Sequence, residues 1–549
     1  MSENVTRFVK QHQYTTHYTR MWTDQGYAKL RTYLGMISKG QPKIWTAPFA
    51  KGQSMTTVMK DWKRTLESIR DPWPSLWAFE NDLANKVGPL SVQLPLRRRM
   101  PDIEHYYEDV LLSSNPIDPQ AVDAVVNEWR KLRGLRVRSQ ANTLAAMKKS
   151  TNSGNPWFAK KRDVVQDIIP CEVWHVNQFE RRPRVQATIQ GENWGMTATV
   201  GWRGQEGGPS SEDVKQRVVW MFPFALNLSE LQVYQPLIEG AQHLNLVPAW
   251  VSMESVDRGI TGLFDSKSKD DLIVCTDFSK FDQHFNQDLQ DAAHHILSEL
   301  LSPDQKATRW IEDVFPCKYI IPLTWKASDD ITTYFVGRHG MASGSGGTNV
   351  DETLTHRSLQ FEVAMHHNAE LNPNSMCLGD DGILSYPGIT VEDVVESYSS
   401  HGQECNTSKQ YSSTQDCVYL RRWHHINYRE SGICVGVYST CRALGRLRYL
   451  ERFMDPEYWT PEMVALRQLS IIENCNHHPL FEQFVQFCMK RDKYRLGIDL
   501  PGFLDNLTKI ALKATGYVDD FLGYTKTLQG EGAEGISNWR VVKYLKSQS

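Results

Sequence analysis

Leu272, Ile273, Val274 and Cys275 form a short apolar run that leads through Thr276 into Asp277. A run of this length reads as a buried strand, so the Asp277 carboxylate should emerge at the strand's end. A turn then brings Asp282 into the same neighbourhood. Further along, Asp380 and Asp381 sit between Gly379 and Gly382, with Met376, Cys377 and Leu378 before them and Ile383 and Leu384 after. That pattern predicts a hairpin with both aspartates at a tight turn. Each acidic site alone has a plainer reading, a turn whose aspartates cap backbone N–H groups. Their order and their strand contexts together weigh against it.

Between them lies a loop of small residues, Met341, Ala342, Ser343, Gly344, Ser345, Gly346, Gly347, Thr348 and Asn349. A helical pattern follows, with Val350, Leu354, Phe361 and Met365 on roughly one face. Such a loop opening a helix can approach a sugar-phosphate closely. A plain glycine-rich loop is the equal alternative for that segment alone.

The rest of the chain divides by pattern. Residues 1–60 are polar with interspersed aromatics. Residues 61–150 read as mostly helical, 150–225 as strand-rich around residues 185–189 and 218–222, and 226–300 as helical apart from the run before Asp277. Short strands and helices alternate over 300–425. A helical region follows, its clearest start at Thr460-Pro461-Glu462. The last segment, 529–549, opens with Gly530, Gly532 and Gly535 and reads as a mobile arm.

Length and charge narrow the function classes. A chain of 549 residues implies three or four subdomains. The net charge of −3 argues against a simple basic nucleic-acid coat, though not against a basic channel. Basic residues do cluster, at Arg97–Arg99, Lys148-Lys149, Lys160–Arg162, Arg181-Arg182, Arg421-Arg422 and the series Arg442, Arg446, Arg448, Arg452. Any one cluster is an ordinary solvated face; several together point to a polyanionic partner. Ten cysteines occur singly, and Cys417 with His424-His425 matches no zinc spacing, so reduced thiols are expected. The N-terminus lacks an apolar signal core, and no apolar run approaches the ~18 residues needed to cross a bilayer. A soluble intracellular protein without a membrane partner is the expectation.

D-x-x-x-x-D at 277–282, S-G-x-x-x-T at 343–348 before a helix, and G-D-D at 379–381 resemble, in that order, palm motifs A, B and C of viral RNA-dependent RNA polymerases. The wording at residues 277–285, 343–354 and 378–382 is most similar to picobirnavirus polymerases, with partitivirus polymerases as near relatives. Further segments then resemble other motifs of the family. Thr151, Ser153, Gly154 and Pro156 resemble the template-side loop, Lys215 and Arg217 the triphosphate-contacting strand, and Tyr419 to Arg422 the primer grip. Lys409 falls where the family places a lysine in motif D.

The resemblance implies an α+β fold, a closed right hand of fingers, palm and thumb, with an antiparallel palm sheet backed by helices. It implies an N-terminal extension over 1–60 joining fingers and thumb, fingers over 61–260 with 301–335 inserted or adjoining, palm over 261–300 and 336–430, thumb over 431–528 and a C-terminal arm over 529–549. It implies template-directed RNA synthesis with two Mg²⁺ ions, Mn²⁺ being an alternative. Two such ions about 3.5–4 Å apart neutralise the attacking and leaving oxygens.

Under this reading Asp277 and Asp380 are metal ligands with Asp381 assisting, and Lys409 is the general acid for pyrophosphate. Asp282 reads the ribose 2′-OH, which an aromatic gate would exclude in a reverse transcriptase. Lys215, Arg217, Ser343, Gly344, Thr348 and Asn349 contact the nucleotide. Thr151, Ser153, Gly154, Pro156, Arg421, Arg442 and Arg446 contact RNA, a solvated helix face being the alternative for the last two. The picornavirus-type pattern has Asn four residues beyond the Thr; this chain has Glu352 there, so Asn349 and Glu352 both stand as candidates to help Asp282. The C-terminal arm is expected either to enter the cleft, with Trp539 or Tyr544 as a stacking platform, or to fray. The family further implies RNA template and product, nucleoside triphosphates and a capsid protein as partners, a segmented double-stranded RNA genome, and a site of action in the virion interior and host cytoplasm. A reverse transcriptase, a non-catalytic RNA-binding or capsid-associated protein and a metal nuclease remain competing classes; none explains Asp282, the Ser-Gly loop and Lys215 together.

Overall fold

The computed structural model describes residues 13–16, 20–176, 183–329, 331–515 and 532–549. The apolar run before Asp277 forms strand Ile273–Thr276, buried at all four positions. It lies inside a four-stranded sheet in the order Met376–Leu378, Asp381–Leu384, Ile273–Thr276, Tyr411–Ser413, with every pairing antiparallel. A strand with neighbours on both edges and apolar cover on both faces has no water-facing side, which explains its continuous apolar run rather than an alternating one.

Helix Thr348–His366 backs this sheet. It was expected to bury one apolar face. Instead, 14 of its 19 residues are buried, among them Asp351, Glu352, His356, Arg357, Gln360 and Glu362. A helix enclosed on all sides must give each polar side chain a partner. Arg357 makes a two-pronged contact with Glu128, Gln360 donates to the carbonyl of Met376, and Glu362 accepts from His401.

A second sheet of five strands carries Lys215–Met221 at its edge, paired antiparallel with Ala198–Gln205. The strand expected around 218–222 therefore starts earlier, at Lys215. The start signal at Thr460 is realised: its side chain accepts from Met463 N–H and opens helix Pro461–Glu473. All ten cysteines are free. Cys417 and His424 are cross-strand neighbours, and the His424 ring bonds the Cys434 carbonyl. Among the described residues no helix is long and apolar enough to cross a membrane.

The apolar core has two main parts. The larger gathers residues from Leu30 to Cys434 around both sheets. The second joins Phe49, Val58, Trp62, Leu76 and Val87 to Trp423, Leu444, Leu469, Phe484 and Leu545. Residues 61–87, expected to open the fingers, thus share a core with the C-terminal helices. The arm reading is also corrected. Helix Arg540–Gln548 buries Val541, Val542 and Leu545, and Glu473 accepts from the N–H groups of Arg540 and Val541 at its start. Trp539 is buried and Tyr544 bonds Gln486, so neither is a stacking platform in the cleft. The linker before it, through Glu531, and the Arg181-Arg182 cluster lie outside the described residues.

Candidate active site

Gly382 stands opposite Thr276, and Leu378 opposite Asp381. Asp277 and Asp381 therefore leave neighbouring strands at the same end, and Gly379 and Asp380 form the two-residue turn between the hairpin strands. Gly379 sits at φ 57, a backbone region that L side chains rarely occupy. Gly382 is required for a different reason: a Cβ there would lie 2.6 Å from Cε1 of the buried His356 ring.

The backbone of both acidic turns is clamped from outside. Thr353 Oγ1 accepts from Gly379 N–H at 2.9 Å, and His356 Nδ1 donates to the Gly379 carbonyl at 2.8 Å. Burial lowers the His356 ring to about 4, which keeps it neutral and fixes the proton on Nδ1. Gln410 performs the same service for Asp277, accepting from its N–H at 2.7 Å and donating to its carbonyl at 2.9 Å. With the main chain held, the Asp277 and Asp380 side chains remain open to the cleft.

The electrostatics confirm that these groups share one space. Burial raises the Asp277 carboxyl, and Lys409, Lys86 and Lys215 oppose the rise. Burial raises Asp380 as well; Arg217 and Arg421 oppose it and the Asp277 charge adds to it. Burial and the Asp380 charge push Asp381 up to about 7, against the Leu420 N–H that its Oδ2 accepts at 2.8 Å. Burial pushes Asp282 up to about 6, with Asp380 adding and a hydrogen bond to Glu352 opposing. Glu352 is driven well above the ordinary carboxylate range, first by burial and then by Asp282.

Among the described residues no cluster of three or more His, Cys, Asp or Glu side chains could hold a metal ion by itself. The donor set nevertheless fits hard divalent cations. Mg²⁺ is held by one or two carboxylates and completes its shell with waters and phosphate oxygens. Asp277 and Asp380 supply mutually repelling carboxylates that open on the same cleft, with cationic side chains across from them.

Comparison with known proteins decides the class. Residues 120–433 match the family model described as viral RNA-dependent RNA polymerase. The chain is 54% identical over 525 residues, 94% of this chain and 96% of the relative, to the potential RNA-dependent RNA polymerase of a human picobirnavirus, strain Human/Thailand/Hy005102. The chain belongs to the viral RNA-dependent RNA polymerases. The crystal structure of the RNA-dependent RNA polymerase of a human picobirnavirus matches it with a TM-score of 0.89 at 54% identity, covering 96% of this chain and 99% of that one. An insertion-loop deletion mutant of such a polymerase matches with a TM-score of 0.87 at 52% identity over the same shares. The fold is therefore the closed right hand of these enzymes.

The polymerase brings most of the expected residues to this cleft. Lys215 and Arg217 project from the exposed side of strand Lys215–Met221, close enough to Asp277 and to Asp380 and Asp282, respectively, to act on their charges. The glycine loop lies against that strand. Ser343 Oγ accepts from Trp220 N–H at 3.1 Å, and a Cβ on Gly344 would fall 1.6 Å from the Trp220 carbonyl oxygen. Thr348 turns its hydroxyl back onto the carbonyls of Ala342 and Ser345, closing the loop. Asn349 accepts from the Trp250 indole at 2.7 Å, while Glu352 contacts Asp282. Of the two candidates, Glu352 is the one that lies beside Asp282.

Two groups of expected RNA-contact residues are enclosed. Ser153, Gly154 and Pro156 are buried. The Ser153 N–H and carbonyl are engaged by Ala159 and Phe224, and Pro156 accepts from Thr23 N–H. Only Thr151 of that group is exposed. Arg442 is also enclosed, at 7% exposure, 2.6 Å from Glu206; Arg446 lies 3.3 Å from the same carboxylate at 18%. The helix Thr440–Arg448 is thus not a solvated face, its Arg442 and Arg446 being paired with Glu206. Arg421, at 44%, stays open. Lys86, Gln410, Thr353 and His356 were not legible as site residues, because nothing local in the sequence marks them.

His356 gives a pH test. Its folded value, about 4, lies below the roughly 6.5 of an unfolded histidine, so its contribution is complete above that value and is lost as pH falls toward 4. The loss is about 3 kcal/mol. His356→Asn, which keeps a donor for the Gly379 carbonyl without this titration, should lose less stability than the parent in chemical denaturation across that window, by up to that amount.

Proposed function

We propose that the enzyme joins ribonucleoside triphosphates on an RNA template by two-metal-ion nucleotidyl transfer. One observation carries the reading: Asp277 and Asp380 open from neighbouring, clamped strand ends into a space that Lys215 and Arg217 face. Asp277 and Asp380 would hold two Mg²⁺ ions, or Mn²⁺ in their place. Such ions, when bound, neutralise charge on the attacking and departing oxygens. Asp381 serves mainly to pin the turn at Leu420.

Lys215 and Arg217 draw the triphosphate into register and balance its charge. Lys409, exposed near Asp277, is positioned to protonate the departing pyrophosphate. Asp282 accepts from the ribose 2′-OH while Glu352, beside it, orients it. Arg421 and Thr151 are the remaining RNA contacts. Ser343, Gly344 and Thr348 shape the sugar side of the cleft.

For the subdomains the reading is fingers from the residues of the larger core N-terminal to the palm, palm over 261–300 and 336–430, and a thumb that joins residues 49–87 to those beyond 430. The 301–335 segment, whose strands Leu323–Ser328 and Ile331–Phe335 belong to the five-stranded sheet, joins the fingers. The same reading includes a segmented double-stranded RNA genome, a capsid-protein partner and action within the virion and host cytoplasm, supported by the likeness to a picobirnavirus polymerase.

Two variants test the chemistry. Asp380→Asn should lower Mg²⁺-dependent nucleotide incorporation by about 1,000-fold or more, a loss of ~4 kcal/mol of transition-state stabilisation, while RNA binding survives. Near-normal synthesis would refute the ligand role. Asp282→Ala should reduce the preference for ribo- over deoxyribonucleotides by about 10- to 100-fold in kcat/KM, the range expected for one hydrogen bond to a charged group. Glu352→Gln, which keeps a donor to Asp282, should retain most of that preference.

A further inference from the structure

The turn that joins Asp277 to Asp282 contains a residue in a conformation that its side chain resists. Strand Phe278–Ser279 enters the turn, paired with Glu404 and Cys405, and helix Gln287–Leu300 follows it. Between them Lys280 sits at φ 53, in the left-handed region, where the Cβ of an L residue crowds the following carbonyl oxygen. Lys280 is exposed, so packing around its own side chain does not impose the conformation. Strain of this kind persists only where the surroundings over-determine it.

The buried His284 ring supplies the restraint. Its Nδ1 lies 2.9 Å from the Lys280 carbonyl oxygen. A carbonyl only accepts, so Nδ1 carries a proton and donates it to this bond. The His284 N–H reaches the same oxygen at 3.3 Å. On the other side of the ring, Nε2 faces the carboxylates of Asp109 at 3.4 Å and Glu404 at 3.9 Å, which sets the direction of the ring. The His284 carbonyl accepts from Gln403 Nε2 at 3.0 Å, and Phe281 and Phe285 nearby in the chain are buried. The ring is therefore held by its neighbours and holds Lys280 in turn.

Asp282 lies inside the loop that this bond closes. Its own carbonyl accepts from Met341 N–H at 2.8 Å and from Phe285 N–H at 3.3 Å. A Cβ on Gly340 would fall 2.3 Å from that same oxygen, so the glycine-loop segment presses directly on the Asp282 backbone. With the main chain fixed at Lys280 and at Asp282, the direction of the Asp282 side chain is set. We propose that His284 is a positioning residue for nucleotide selection: by clamping the Lys280 carbonyl it holds the left-handed turn that aims the Asp282 carboxyl at the sugar. This rests on the reading of Asp282 as the ribose contact.

A ring that merely fills space would behave differently, and two pairs of substitutions separate the roles. Asparagine carries an amide donor at the position of histidine Nδ1, whereas leucine carries a methyl group there. The two differ in the hydrogen bond and little in volume. At position 280, glycine has no Cβ to crowd the carbonyl and needs no clamp, whereas β-branched valine opposes the left-handed turn. Loss of the clamp at 284 should therefore be offset by glycine at 280 and mimicked by valine there.

The test uses two readouts on the full-length enzyme. One is the ratio of kcat/KM for a ribonucleoside triphosphate to that for its 2′-deoxy analogue, in which general effects on catalysis cancel. The other is hydrogen–deuterium exchange of peptides covering residues 278–286. His284→Leu should lower the ratio by about 3- to 10-fold, the factor that one net hydrogen bond supports, and speed exchange by a similar factor. His284→Asn should keep both within about 2-fold of the parent. Lys280→Gly added to His284→Leu should restore most of both. Lys280→Val, a change at an exposed position, should show the same losses and carries the test if His284→Leu does not fold. Equal losses in His284→Asn, no recovery on adding Lys280→Gly, or a parent-like ratio in Lys280→Val where Asp282→Ala shifts it would each overturn the proposal. Should Asp282→Ala leave the ratio unchanged, the ribose reading itself fails. Exchange then decides alone, and parent-like exchange in Lys280→Val would show that His284 clamps nothing.

Discussion

The register of two short strands governs everything else in this molecule. With Gly382 opposite Thr276, Asp277 and the Asp380 turn must share one end of the sheet. A slip of one residue would reverse the faces of the hairpin strand and send its acidic end elsewhere. The register is fixed because Ile273 to Thr276, Ile383 and Leu384 are all buried, so alternative pairings would place polar groups in the core.

Like charges gathered in this way repel, and the fold meets the cost with rigid backbone and nearby cations instead of side-chain ion pairs. Thr353, His356 and Gln410 spend their hydrogen bonds on main-chain atoms of Gly379 and Asp277. The carboxylates themselves are left for ligands. The helix that supplies Thr353 and His356 also supplies Glu352, so one buried helix clamps the Gly379–Asp380 turn and stands beside Asp282. That explains why it is polar yet enclosed. Several of its side chains have specific partners on other elements: Arg357 on Glu128, Gln360 on the Met376 carbonyl and Glu362 on His401.

What the sequence revealed was what chemistry writes locally. Carboxylates at strand ends, the small-residue loop and the capped helix at Thr460 depend on neighbours within a few residues, and all three stand where their patterns put them. What it hid depends on pairs distant in the chain. Arg442 reads as a surface cation until Glu206, from the hairpin beside Lys215, is seen to enclose it. Ser153, Gly154 and Pro156 read as an exposed loop until Thr23 and Phe224 occupy their backbone groups. Residues 49–87 carry no mark of the C-terminal helices they pack against, and the final helix, Arg540–Gln548, follows a glycine-rich stretch that suggests looseness rather than a docked segment. Glu352 reads in the sequence as a bare departure from a family pattern; the fold buries it beside Asp282.

The proposed chemistry turns on joint ligation of the divalent ions by Asp277 and Asp380. Counting Mn²⁺ bound per enzyme by electron paramagnetic resonance, with a non-hydrolysable ribonucleotide and RNA present, addresses it directly. The account requires about two ions in the parent enzyme and a lower count in both Asp277→Asn and Asp380→Asn. An unchanged count in both variants would contradict it.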